Sequence, residues 1–148
     1  MSVTVRKLTQ NDFEAWKKLY QGYADFYQVP MNNEILSNVW TWIFDNNTPF
    51  YGLVAELDVN LVGFMHYRAM PSPLRGKMVG FLDDLFVMPE ARGTGVVDKL
   101  FDGLKKEAKQ QGWPLVRWIT SEDNYRGRAY YDKMSQKTKW VTYQLDIS

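Results

Sequence analysis

The 148-residue sequence contains no cysteine, a single histidine, and no apolar run near the roughly 18 residues needed to cross a bilayer as a helix. Without cysteine there can be no disulfide, no thiolate metal site and no cysteine nucleophile. With only His66, a histidine-based metal centre or a Ser-His-Asp triad lacks its parts, so no metal is expected. An excess of charge of either sign is also lacking. Lys and Arg number 18 against 17 Asp and Glu, a net charge of +1, which gives no reason to expect nucleic acid or an anionic membrane as a partner. The first residues, Met1-Ser2-Val3-Thr4, show no basic stretch leading into an apolar one. No signal peptide is expected, and the cytoplasm is the expected location.

What is present is a chain with 45% apolar and 24% charged residues, the composition of an ordinary soluble domain. Its length suits one core, and a single domain over residues 1–148 is expected. Aromatics, at 16%, are abundant and concentrate in residues 13–51 and 113–143. The order of elements follows from periodicity. Val3 to Leu8 alternates as a strand, and Thr9 with Asp12 forms a helix-start box. Phe13, Trp16, Tyr20, Tyr23 and Tyr27 then recur at three- and four-residue steps, one aromatic helical face ended by Pro30. Most of that face reads as core, with a few tyrosines, Tyr23 and Tyr27 among them, available to line a pocket. A second helix runs from about Asn32 to Asn46.

Phe50–Leu57 and Leu61–Ala69 read as a hairpin around Asp58-Val59-Asn60, and Met78–Val87 as the third strand of a meander. Within that third strand, Asp83 and Asp84 interrupt an apolar run. Simple alternation sends one carboxylate to each face, and a β-bulge would let the strand accommodate them. A helix with the stripe Val97, Leu100, Phe101, Leu104 and Ala108 follows, then the strand Leu115–Thr120, a βαβ unit with parallel strands. Ser121–Asn124 opens a last helix, and alternation over Lys139–Leu145 predicts a closing strand. The class is α+β, with a mixed sheet.

Between the third strand and its helix lies Arg92-Gly93-Thr94-Gly95-Val96-Val97. Two glycines at a helix start leave backbone N–H groups unobstructed at the positive end of the helix dipole, which favours an anion such as a phosphate or pyrophosphate. No Gly-Lys-Ser/Thr follows, which excludes a P-loop.

This loop after an apolar strand, together with Asn124-Tyr125-Arg126-Gly127-Arg128-Ala129-Tyr130-Tyr131, resembles the GCN5-related N-acetyltransferase (GNAT) family. That family's loop runs Arg or Gln, two residues, Gly, one residue, then Gly or Ala. Its later signature is Asn, a small residue three on and a Tyr four beyond, here Asn124, Gly127 and Tyr131. The order of elements matches over nearly the whole chain. The acidic pair in Leu82–Met88 further resembles the diamine and polyamine acetyltransferase branch. Three positions depart from the pattern: Val97 stands where the loop closes on a small residue, Gly127 where alanine is usual, and Ser135 where a glycine commonly follows.

The resemblance implies a GNAT-like fold, an antiparallel meander followed by the βαβ unit around a CoA site. It implies acetyl-CoA as cosubstrate. Its diphosphate would lie on the N–H groups of Arg92, Gly93, Thr94, Gly95, Val96 and Val97, and its pantetheine along the backbone of Leu85, Phe86 and Val87, with Asn124 and Tyr131 completing the site. Tyr131 would protonate the departing sulfur. The base candidates are Asp83, which aligns with the acid of the polyamine branch, then Asp84 and Glu122. Tyr23, Tyr27 and Asp83 would receive the acceptor, a small-molecule amine, polyamine- or amino-acid-like. A non-catalytic acyl-CoA-binding module and a protein-lysine acetyltransferase are the alternatives. Dimers are frequent in the family, so a homodimer is an expected state. His66 reads as a packed or wall residue rather than a base.

Overall fold

In a computed structural model, which describes residues 2–147, the chain separates into two compact units, Met1–Trp118 and Ile119–Ser148. The first is built on a five-stranded sheet in the order β1-β2-β3-β4-β5. These strands are β1 (Val3–Lys7), β2 (Phe50–Leu57), β3 (Asn60–Ser72), β4 (Lys77–Val87) and β5 (Val116–Trp118). The first four pair antiparallel and β5 joins β4 in parallel.

Three helices complete this unit: α1 (Phe13–Tyr27), α2 (Asn33–Phe44) and α3 (Val96–Gln111). Neighbouring residues on a strand point to opposite faces, and β2 shows which helix covers which. Val54 packs in a cluster with Trp16, Leu19 and Tyr20 of α1 and Leu36 and Val39 of α2. Leu53, one residue earlier, reaches Gly103 of α3, where an added Cβ would stand 3.2 Å from it. The sheet is therefore sandwiched, with α1 and α2 on one face and α3 on the other. The buried stripe of α3 begins at Val96, not Val97, and continues through Leu100, Phe101, Leu104 and Ala108. The left-handed Gly95 before the helix sets that phase and leaves Val97 half-buried at the helix start.

The hairpin turn is tighter than the sequence implies. Leu57 pairs with Asn60, so Asp58 and Val59 alone make the turn, both at positive φ (51° and 63°). That is the geometry of the primed two-residue turns that match sheet twist, and it is strained for β-branched Val59. At the start of the unit, Arg6 grips Asp12 through both Nη atoms (2.8 and 2.9 Å) and also pairs with Glu56. Asp12 accepts in turn from the Thr9 N–H at 2.8 Å, which closes the helix-start box.

The second unit contains α4 (Tyr125–Met134). The expected strand at Lys139–Leu145 does not form: residues 136–147 have no regular structure, and Trp140, Val141, Tyr143 and Leu145 are exposed. Alternation makes a strand only where a neighbour supplies a hydrogen-bond ladder and a face to bury, and this segment has neither among the described residues.

Candidate active site

The acidic pair sits in a bulge. His66 of β3 lies opposite Asp84 of β4, and Tyr67 opposite Leu82, so Asp83 is the extra residue and the register shifts there. One consequence corrects the alternation expected from sequence. A bulge suspends the period of two, and both carboxylates line a single cleft on the α1–α2 side rather than opposite faces. The cleft encloses about 580 Å³ and is walled by Tyr20, Val39, Trp42, Pro49, Phe50 and Met70, with Arg68, Asp83 and Asp84 as its charged groups.

The two acids occupy different environments. Asp84 is anchored: Tyr20 donates to its Oδ2 at 3.0 Å, and His66 Nδ1 lies 2.9 Å from the same oxygen. His66 is fully buried, and its other nitrogen, Nε2, stands 2.9 Å from the Trp16 indole N–H. An indole N–H can only donate, so Nε2 accepts and the ring proton sits on Nδ1, from where it is donated to Asp84. His66 is thus a packed residue whose ring orients Asp84. Burial alone would push Asp84 upward, but hydrogen bonds from His66, Tyr23 and Tyr20 outweigh it and hold the carboxyl below its ordinary range. Burial and the Asp84 charge raise the Tyr20 and Tyr23 hydroxyls well above the usual phenol range, so both remain protonated donors.

Asp83 is shifted the other way. Burial raises it, the Arg68 guanidinium (Nη2–Oδ1 3.2 Å) partly counters that, and the neighbouring Asp84 charge raises it again, for a net upward shift. Arg68 Cζ lies over the Phe81 ring at 4.9 Å, and half of the Arg68 side chain is exposed. A carboxylate raised in pKa, in an open cleft, beside an anchored second carboxylate, is equipped to accept a proton.

The other expected site residues distribute as follows. Tyr23 packs against Tyr20 and Phe86, and Tyr27 lies tilted against Tyr23 at the exposed end of α1. The pairing of β4 with β5 ends at Leu82↔Trp118, and Leu85, Phe86 and Val87 continue beyond it. The chain then turns at Pro89–Ala91 into the loop, where Gly93 and Gly95 both adopt left-handed φ (79° and 84°). A Cβ added at either glycine would meet nothing within 4 Å, so the loop backbone faces open space. The Thr94 hydroxyl turns back to the Ala91 carbonyl, and Gly95 contributes no capping side chain, so the first turn of α3 presents its N–H groups outward. Arg92 lies over the Phe26 ring at 4.9 Å. A glycine cradle open at a helix start fits a diphosphate.

Glu122, Asn124 and Tyr131 belong to the second unit. Glu122 is exposed, and its carbonyl accepts from Arg128 at 2.7 Å. Asn124 caps α4, accepting from the Gly127 N–H at 3.3 Å and donating to the Thr120 hydroxyl at 2.9 Å. An alanine Cβ at 127 would fall 2.4 Å from the Asn124 amide, so glycine there makes room for the cap, which sequence alone did not reveal. Ser135 donates to the Tyr131 carbonyl and ends the helix there.

Two cleft residues escaped the sequence reading. Tyr20 belongs to the stripe read mostly as core, and Arg68 carries no motif that marks it. The hairpin register that sets His66 opposite Asp84 is the signal that could have found the network. Among the described residues no cluster of three or more metal-ligating side chains occurs, and no helix is long and apolar enough to cross a membrane.

Comparison with known proteins agrees with this architecture. The profile of the acetyltransferase (GNAT) family matches residues 15–135. D-amino-acid N-acetyltransferase HPA3 of Saccharomyces cerevisiae is 30% identical over 144 residues, covering 96% of this chain and 89% of that protein. The uncharacterized N-acetyltransferase YhfO of Bacillus subtilis is 25% identical over 147 residues, covering 98% of each. Among solved structures, AAC(6')-Iy, bound to the bisubstrate analogue CoA-S-monomethyl-acetylneamine, superposes with a TM-score of 0.87 over the whole of both chains at 17% identity, a likeness of fold. The mixed sheet, the helix arrangement and the profile match together give one conclusion: the chain has the GNAT fold, belongs to the GNAT family of acetyltransferases, and is an acyltransferase.

Proposed function

We propose that this chain acts as a single N-acetyltransferase domain that moves the acetyl group of acetyl-CoA to the primary amine of a small molecule, by direct attack and without an acyl-enzyme. The observation that carries this reading is the paired environment of Asp83 and Asp84 in one cleft, at the head of the strand leading to the glycine cradle. The curated relative named for D-amino acids and the fold likeness to an aminoglycoside-type complex lend support to a small amine acceptor. The acidic pair, which resembles the polyamine branch, is compatible with it.

The chemistry asks little of the protein beyond what these residues offer. An alkylamine with a pKa near 10.4 is only about one part in a thousand neutral at pH 7, a penalty of roughly 4 kcal/mol. Asp83 takes the amine proton, directly or through one water, as the nitrogen attacks the thioester carbon. The C–N bond forms, the C–S bond breaks, and Tyr131 returns a proton to the sulfur. A backbone N–H near Phe86–Val87 steadies the oxyanion, a contribution of about 3 kcal/mol where such a donor is preorganised. Asp84, held by His66 and Tyr20, fixes the bulge that aims Asp83 into the cleft. The cradle from Arg92 to Val97 holds the diphosphate. The test is incubation with acetyl-CoA and a panel of amines, following thiol release, with CoA-dependent thermal stability measured alongside. Release above background for a small amine is expected. No release, with no stabilisation by CoA, would refute the reading.

A further inference from the structure

Both carboxylates of the cleft have a place in the reaction, whereas its cation so far serves only as the ion-pair partner of Asp83. Arg68 shares the cleft with Asp83 and Asp84. Its Nη2 lies 3.2 Å from Asp83 Oδ1, its Cζ sits 4.9 Å over the Phe81 ring, and half of the side chain stays exposed. A guanidinium is a planar fork that matches a carboxylate. We propose that Arg68 makes the acceptor site selective for amines that also carry a carboxylate, so that the substrate is an amino acid with an apolar side chain rather than a polyamine. This rests on the acetyltransferase reading above and narrows its acceptor.

Three observations converge on it. First, Asp83 and Arg68 are adjacent, as are the amino and carboxylate groups of an α-amino acid. The substrate's amine replaces Arg68 as Asp83's neighbour while its carboxylate replaces Asp83 as Arg68's. Second, a polyamine's distal ammonium finds no carboxylate of its own. Asp84 is already engaged by Tyr20 and His66, Asp83 serves the reacting amine, and no third carboxylate lines the cleft among the described residues. A second cation there would instead meet Arg68, a like charge. Third, apart from Tyr20 and Thr48 the remaining walls, Val39, Trp42, Pro49, Phe50 and Met70 among them, are apolar and suit a hydrophobic side chain.

The test compares acceptors that differ only in the carboxylate. With acetyl-CoA, kcat/KM is measured for both enantiomers of phenylalanine, for phenethylamine and for spermidine. At least one enantiomer is expected to exceed phenethylamine by about 10-fold or more, the scale of a charge-assisted bidentate contact, with spermidine behind both. Arg68→Met is expected to bring that ratio close to one, and Arg68→Lys to retain part of it. A wild-type protein that acetylates phenethylamine or spermidine as well as phenylalanine, or an unchanged ratio in Arg68→Met, overturns the proposal. A binding measurement on the wild type, needing neither turnover nor a variant, separates the two readings. By calorimetry, N-acetylphenylalanine is expected to bind about 10-fold tighter than N-acetylphenethylamine. Equal binding overturns the role of Arg68. A preserved preference with no turnover of any amine upholds that role and overturns the acetyltransferase reading instead.

Discussion

Replacing Asp83 with Asn isolates the proton-acceptor role from the shape of the cleft. Asparagine keeps the volume and can still accept from Arg68, and the Arg68–Asp83 pair is half-exposed, so stability should change by less than about 1 kcal/mol. Catalysis should change far more. At pH 7 the protonated amine imposes roughly 4 kcal/mol, and a positioned base is worth about 10²–10⁴-fold. We expect kcat/KM for a lysine-type alkylamine to fall about 100-fold at pH 7. The deficit should then shrink steadily toward pH 10, where the free amine becomes abundant and no base is needed. The assay is thiol release at saturating acetyl-CoA from pH 6 to 10, for wild type and Asp83→Asn in parallel. A deficit under about 3-fold at pH 7, or one that stays constant across the range, refutes Asp83 as the base.

Three further outcomes follow from particular contacts. Val97→Gly removes two methyls from the start of α3 at the cradle, so CoA should bind several-fold tighter by calorimetry, while lost helix propensity lowers stability by about 0.5 kcal/mol. Weaker or unchanged CoA binding would contradict a diphosphate at that turn. Val59→Gly relieves a β-branched residue at φ 63° in an exposed turn, and should raise stability by about 1 kcal/mol, read as a Tm increase of about 2–4 °C. Asp12, lowered to about 2 first by its Arg6 hydrogen bonds, contributes stability that is fully present above its unfolded value of 3.8 and is lost as pH falls through 2. After screening at the part-exposed Arg6, that contribution is about 1–2 kcal/mol, and Arg6→Met should flatten the acid limb of a denaturation series over this window.

Much of this molecule is legible in its sequence because periodicity and punctuation act locally. The aromatic steps from Phe13 to Tyr27, the three meander strands and the glycine loop each carry their own pattern. Even the bulge was announced by two acids set inside an apolar strand. The direction of its consequence was not. Whether Asp83 and Asp84 diverge or share a face depends on which residue is unpaired, a property of the pairing with His66 and Tyr67 on another strand. Tyr20 was hidden for a related reason: one aromatic face serves both as core, through Trp16, and as a donor to Asp84, and spacing cannot separate the two uses. Arg68 carries no sequence motif, and only tertiary packing sets it over Phe81 and beside Asp83. Lys139–Leu145 erred in the opposite direction, since its alternation is real but its exposed side chains have no surface to bury against.

The same physical theme joins the cleft to the core behind it. Trp16 fixes the tautomer of His66, His66 and Tyr20 fix Asp84, and burial together with the Asp84 charge raises Asp83. A chain of donors running from fully buried to half-exposed thereby gives two adjacent carboxylates opposite tendencies, one kept charged and anchored, the other readier to take a proton.

The most direct measurement of the central claim is the acetyl-transfer assay itself: purified protein, acetyl-CoA and a panel of amino acids, simple alkylamines and polyamines, with thiol release and acetylated product followed together. The account predicts product for a small amine, stoichiometric with released CoA. It is contradicted if no amine on the panel is acetylated above the uncatalysed rate.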